Sequence, residues 1–257
     1  MCFDLFKKKP IDWPHHPRVA LLFGKNNTHY GSNKLSFCVN DIDLVKSTLT
    51  PYDFQFRYFT DADVTRKNFR EQLTYALTHA LAGDIIYIKY SGHGSYEKDL
   101  GGDEIDGYDE TLYMDGNFSD DETSELTKLI PEGVVVIFSL DCCYSGTSTR
   151  EMTLARFMPP KEDYPHHRQS RRIFRSVLNH IVFSGCSENE VSEEAVINGT
   201  GNGIFTYYEM EPIRDAMPGL TYRKWFEQIQ VMLPNKNFKQ TPRVEGPDSL
   251  LDRLIFQ

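Results

Sequence analysis

The amino-acid sequence predicts an α/β fold, with a largely parallel central β-sheet carrying helices on both faces. Three observations carry this. Short apolar-dominated runs such as RVALLFG (Arg18 to Gly24), DIIYIKY (Asp84 to Tyr90) and VVVIFSL (Val134 to Leu140) have the character of strands buried on both faces. Segments with apolar residues at helical spacing alternate with them. The 257 residues, 40% hydrophobic and 13% aromatic, suffice for a substantial core in one large domain or two small ones.

The elements follow in order. Residues 1–16 read as an N-terminal arm, and the pattern begins at Pro17 with the run RVALLFG. After a loop rich in Gly, Asn and Ser, LSFCVNDIDLVKSTLTPY places Phe37, Asp41, Leu44 and Val45 at helical spacing, so a helix starts between Ser36 and Asn40. FQFRYF then alternates as a strand. TRKNFREQLTYALTHALAG puts Phe69, Leu73, Ala76, Leu77 and Ala80 on one stripe, with Thr65 as N-cap and Gly83 as the stop. The strand DIIYIKY, a long loop, the strand VVVIFSL, a second long loop and the strand HIVFSG follow. TYRKWFEQIQVML closes the series as a helix with Trp225, Phe226, Ile229, Met232 and Leu233 on one side.

The formal charge of −9, from 28 Lys+Arg against 37 Asp+Glu, argues against a general nucleic-acid binder and suits basic ligands or divalent cations. Five scattered cysteines (Cys2, Cys38, Cys142, Cys143, Cys186) in a chain of this length read as free thiols in a reducing compartment. The start MCFDLFKKKPIDWPHHP lacks the apolar segment of a signal peptide, and no window approaches a membrane span. The expected location is the cytoplasm, with no membrane and no nucleic acid as partner.

In open parallel sheets, ligands gather beyond the carboxyl ends of the strands. Two loops leave such ends directly: YSGHGS after Ile85–Lys89, and DCCYSG after Val134–Leu140. A thiol attacks an acyl carbon as thiolate and needs an imidazole to take its proton and return it to the leaving amine. His93 and Cys143, 50 positions apart and each close to a strand end, are the candidate pair. Taken singly, a loop His is commonly a solvated residue and a Cys after a strand a small buried hydrophobe; together they point to catalysis. The N–H groups of Gly94 and Cys143 are candidates for an oxyanion hole. Cys142 is expected to pack beneath the site, since adjacent side chains of an extended segment face opposite ways. Ser145 is a weaker rival nucleophile, because CYSGT is not the G-x-S-x-G elbow.

At these residues the chain resembles the caspase-fold cysteine peptidases of clan CD (peptidase family C14), and specifically the metacaspases. YSGHG and DCCYSG match the metacaspase forms of the His and Cys motifs, and the resemblance continues through ALLFG, CVND, DEIDGYDE, DDE, FSGCSENE and FKQTPRV. It implies a caspase-like sandwich over residues 17–257: a large-subunit-like part (17–150), a basic loop (151–175) and a small-subunit-like part (176–257). It implies a cysteine endopeptidase that cuts after Arg or Lys through a thioester on Cys143. Asp41 and Asp141 match the family's acidic S1 residues, with Ser91 of the His motif as a further substrate-binding candidate. A carboxylate pair suits a guanidinium, which can satisfy both by charge-assisted hydrogen bonds. The acidic stretch Asp99 to Glu122 is not an EF-hand, but Asp109, Asp120 and Asp121 match family ligands for an activating Ca2+. The chain departs from the family at Arg150, where an Asp is usual and Glu151 stands next to it, at Tyr144 after the nucleophile, and at Gly102. The expected partners are protein or peptide substrates with Arg or Lys before the cut, and the expected state is a monomer.

The loop FMPPKEDYPHHRQSRRIFRS is basic at Arg168, Arg171, Arg172 and Arg175. The plain reading is a surface loop; the functional one is a segment that occludes the acidic cleft or is cut by the enzyme itself, there or at Arg150. A catalytically silent caspase-fold regulator or scaffold is the rival reading of the whole chain, and a calcium-independent peptidase the third. The intact His/Cys pair and both pocket acids argue against silence.

Overall fold

A computed structural model describes residues 14–27, 34–99, 101, 107–143, 156–159, 178–187, 190, 192–214 and 218–257. The first strands and helices follow the expected order: β1 (Arg18–Gly24), α1 (Cys38–Leu49), β2 (Gln55–Thr60), α2 (Arg66–His79) and β3 (Ile85–Ser91). The supposed long loop then holds β4 (His93–Lys98), β5 (Tyr108–Tyr113), β6 (Asn117–Ser119) and α3 (Asp120–Thr127), before β7 (Val135–Asp141). Beyond come β8 (Ile181–Ser184), β9 (Glu194–Ile197), β10 (Thr200–Gly203), α4 (Ile204–Arg214), α5 (Tyr222–Met232), β11 (Arg243–Glu245) and α6 (Asp248–Leu251).

The main sheet has six strands in the order β11-β8-β7-β3-β1-β2, all parallel except β11. Side chains alternate across it with period two. Leu21, Phe23, Ile86, Ile88, Val136 and Phe138 enter one core, which α2 covers with Phe69, Leu73 and Leu77 and α3 with Leu126. Ala20, Leu22, Ile85, Tyr87, Val135 and Ile137 enter the other, closed by Ile42 and Val45 of α1, Phe205 and Met210 of α4, and Trp225, Phe226 and Ile229 of α5. Both faces are therefore buried, which is why the strands read as continuous apolar runs.

Local signals succeed where a capping group is present. Thr65 accepts from the Asn68 N–H at 3.1 Å and starts α2 as expected, and Thr221 caps α5 in the same way. The expected stop of α2 at Gly83 is wrong by one turn. The helix ends at His79 with Ala80 extended, because Asp84 captures the Leu81 N–H at 2.8 Å and pulls the chain into a turn. Gly83, at φ +96°, serves that turn instead. The loop expected after β3 also needs correction, since His93 begins a strand. β4, β5 and β6 form a separate antiparallel sheet in the order β4-β5-β6 at the carboxyl end of β3.

Candidate active site

Register places the two motif loops together. β3 and β7 are adjacent and parallel, with Ser91 opposite Asp141, so His93 and Cys143 each lie two residues past a matched pair. The backbones touch there: a Cβ added to Gly94 would collide with the Cys143 carbonyl oxygen. Both candidate catalytic side chains are buried, His93 at 1% and Cys143 at 0% exposure. The adjacent thiols divide as alternation requires, Cys142 into the core under α2 and Cys143 into a small cluster with Tyr96 and Phe157. All four described cysteines are free thiols.

Ser91 and Asp141 point to the α1/α4 face of the sheet, and Asp41 in the first turn of α1 reaches the same spot. The Ser91 hydroxyl donates to Asp41 Oδ2 at 2.6 Å. A third carboxylate, Glu194 at the start of β9, joins them and accepts the N–H groups of Ser36 and Phe37 at 2.7 and 3.1 Å. The slot these carboxylates line is filled by a residue not named above, Arg156. Its guanidinium is fully buried, with Nη2 2.7 Å from Asp41 Oδ2 and 3.7 Å from Glu194 Oε2, and Nη1 3.2 Å from Asp141 Oδ2. Nη1 also donates to the Ser91 hydroxyl at 2.7 Å and the Asp141 carbonyl at 3.1 Å. Gly203 forms a wall; a Cβ there would stand 2.6 Å from Arg156 Nη2.

The backbone of Arg156 is held as firmly. Its carbonyl oxygen accepts from the N–H of Gly94 at 2.9 Å and of Cys143 at 3.1 Å, while its own N–H donates to the Ser192 carbonyl at 3.0 Å. The two N–H groups singled out in the sequence thus converge on one carbonyl. The Cys143 sulfur is turned to Ser192, whose N–H donates to it at 2.7 Å. Burial pushes the Cys143 thiol well above its ordinary pKa, and the nearby Cys186 adds to the rise.

The carboxylates are not equivalent. Burial raises Asp141, but the Arg156 guanidinium, Lys89 and hydrogen bonds from Ser192 and Thr206 outweigh it, so its carboxyl sits below the ordinary range. The Thr206 N–H, 3.0 Å away, belongs to the first turn of α4, where helix N–H groups favour an anion. Glu194 lies above its ordinary value because burial prevails over Arg156 and the two backbone donors.

Among the described residues no group of three or more His, Cys, Asp or Glu side chains could hold a metal ion. Asp109 on β5 and Asp120 at the start of α3 are buried and Asp121 is exposed. Gly102, Tyr144, Ser145, Arg150 and Glu151 lie outside the described residues, as do Arg168, Arg171, Arg172 and Arg175. Arg156, Glu194 and Gly203 were missed. Arg156 had a signal, because LARFM sets one cation between apolar neighbours, unlike the solvated cluster further on.

The caspase domain family profile matches residues 17–250. The chain is 30% identical to Metacaspase-1 of Schizosaccharomyces pombe, over 88% of this chain and 66% of that protein. It is 26% identical to Metacaspase-1 of Arabidopsis thaliana, over 86% and 66%, and 29% identical to Metacaspase-5 of Trypanosoma cruzi, over 89% and 57%. It thus spans about two thirds or less of the length of these relatives. The crystal structure of protein GSU0716 from Geobacter sulfurreducens shares the fold, with a TM-score of 0.73 and 23% identity over 93% of this chain and 98% of that one. The chain therefore belongs to the caspase-domain family of cysteine peptidases, in its metacaspase branch.

Proposed function

We propose that the protein is an endopeptidase that cuts after Arg or Lys, with Cys143 as nucleophile and His93 as general base and acid, and that the Arg156–Phe157 bond is its own first substrate. The observation that carries this reading is Arg156 itself: its side chain fills the acidic slot while its carbonyl takes the two N–H groups beside the thiol. A substrate residue before the scissile bond would need both contacts at once. In the reaction, His93 takes the Cys143 proton and sulfur bonds to the Arg carbonyl carbon. The Gly94 and Cys143 N–H groups stabilise the oxyanion. The C–N bond then breaks as His93 returns the proton to the leaving amine, and water, deprotonated by His93, hydrolyses the thioester and regenerates the thiol. With Cys143 turned to Ser192 and its pKa raised, the form in which residues 156–158 lie as a strap across the site is a resting state.

Calcium activation remains the expectation that the family resemblance attaches to Asp109, Asp120 and Asp121. One assay tests both parts. Fluorogenic peptides ending in Arg, Lys or Asp are followed across a calcium titration, for the wild-type chain and Cys143→Ala, with intact mass recorded alongside. The expected result is hydrolysis after Arg and Lys but not Asp, lost in Cys143→Ala, a rate rising with calcium, and a fragment ending at Arg156. Hydrolysis that survives Cys143→Ala would overturn the mechanism. Absence of hydrolysis under every condition would favour the silent scaffold.

A further inference from the structure

Phe157, the residue after the proposed cut, occupies a place of its own. We propose that Tyr96 and Tyr108 form the subsite for the residue that follows the scissile bond and make the enzyme prefer an aromatic side chain there; this rests on the reading of Arg156 given above. Phe157 is 7% exposed and stacks on Tyr96, with ring centroids 5.9 Å apart and planes inclined by 21°. Tyr108 meets the edge of Tyr96 at 5.7 Å and 75°. These rings and Cys143 form a cluster separate from both main cores.

The hairpin explains why the rings stand together. Tyr96 pairs with Glu110 and Lys98 with Tyr108, so the two tyrosines are diagonal neighbours on one face of β4 and β5, within reach of each other. The backbone fixes what they face. β4 is an edge strand of its sheet, and Phe157 bridges to Gly94 in parallel. The Gly94 N–H donates to the Arg156 carbonyl at 2.9 Å, and the Met158 N–H donates to the Gly94 carbonyl at 2.8 Å. Hydrogen bonds on either side of Phe157 therefore hold its ring against Tyr96. A substrate that adds itself to the same edge, in the manner of strand addition, presents its own next residue to the same rings. A carboxylate stacked on the faces of these rings would lose hydration against apolar surface.

The test uses internally quenched peptides that differ only in the residue after Arg (Phe, Ala or Asp), with calcium present. Wild-type protein, Tyr96→Ala and Tyr108→Ala are compared, and an acyl-arginine methyl ester, which carries no side chain in that position, is run on the wild type. Expected is a kcat/KM for Phe about 10- to 100-fold above Ala, with Asp lowest, and a Phe/Ala ratio within about twofold of one in Tyr96→Ala. A ratio is read within each protein, so a general loss of activity does not mimic the result, and Tyr108→Ala offers a second variant should Tyr96→Ala fail to fold. Equal rates for Phe and Ala in the wild type, with the ester hydrolysed, would overturn the subsite alone, as would a ratio that survives both substitutions. No hydrolysis of ester or peptides would overturn it together with cleavage after Arg.

Discussion

Three carboxylates share the slot with one guanidinium, and each is stabilised differently. Asp41 accepts from Ser91, Arg156, Asn202 and the Gly203 N–H. Asp141 is held by Ser192, Thr206 and the positive charges of Arg156 and Lys89. Glu194 stays raised by burial. The signs follow from linkage. Asp141, with its folded pKa lowered, contributes stability that is full above the ordinary carboxylate value of about 4 and lost as pH falls through the lower value in the fold. Glu194, with its folded pKa raised, works the other way: its ionised form weakens the fold, and that penalty disappears as pH falls below the ordinary range. Asp141→Asn should therefore lower stability at neutral pH, by up to about 3–5 kcal/mol for a broken buried pair, with a difference that shrinks as pH drops toward about 3. Urea midpoints of both proteins across that range check this; a difference that stays constant would show that charge is not what Asp141 contributes. His93 and Cys143 could be singled out from residue type and position beside strand ends, whereas Asp41, in the first turn of α1, and Asp141 were pointed to by the family resemblance. Glu194 and Gly203 were not legible, because their place depends on a hairpin that closes over the slot from more than 50 positions further along the chain.

Among elements, legibility followed the apolar pattern of the sequence rather than burial itself, since β2 buries no residue and was read while β5 buries five of six and was not. β1, β3 and β7 bury every or nearly every residue, and their apolar runs announce them. β4 reads HGSYEK and β5 YDETLY; they pair with each other beyond the sheet, so neither has an uninterrupted apolar run, and β4 begins with the His93 motif itself. α4 carries Pro212 and follows directly on β10 without a polar cap residue at Gly203, which hid its start. α2 shows the opposite case: a stripe, a cap and a clear face. Since Thr65 supplies one N–H partner at its start, Thr65→Ala should cost about 1 kcal/mol in urea unfolding, and hydrolysis of Arg peptides should be unchanged, because α2 packs on the core away from the slot. A loss under 0.3 kcal/mol, well below that range, would mean that packing of Phe69, Leu73 and Leu77 alone fixes the helix.

At the scale of the whole molecule, the sheet, the hairpin and the strap act as one device. The sheet sets Ser91 opposite Asp141; α1, β9 and the Gly203 corner close the slot around them; β4 offers its edge to residues 156–158. On the proposed reading the chain holds its own Arg as an intramolecular ligand, and tethered ligands act at effective concentrations on the order of millimolar. An added peptide would then compete with that concentration until the strap is cut or leaves. Progress curves of the wild-type chain on an Arg peptide should therefore begin with a lag that shortens as the fragment ending at Arg156 accumulates. Arg156→Ala removes the competitor's side chain from the slot, so its initial rate at low peptide concentration should be at least about tenfold above the uncut wild type, without a lag and without a cut at 156. The same variant leaves Asp41, Asp141 and Glu194 facing an empty slot, so a small guanidinium compound should raise its melting temperature more than that of the uncut wild type, whose slot is filled. If Arg156→Ala instead shows the wild-type lag and the wild-type initial rate, the strap is not what restrains the enzyme, and the buried guanidinium is a structural ion pair rather than a substrate in waiting.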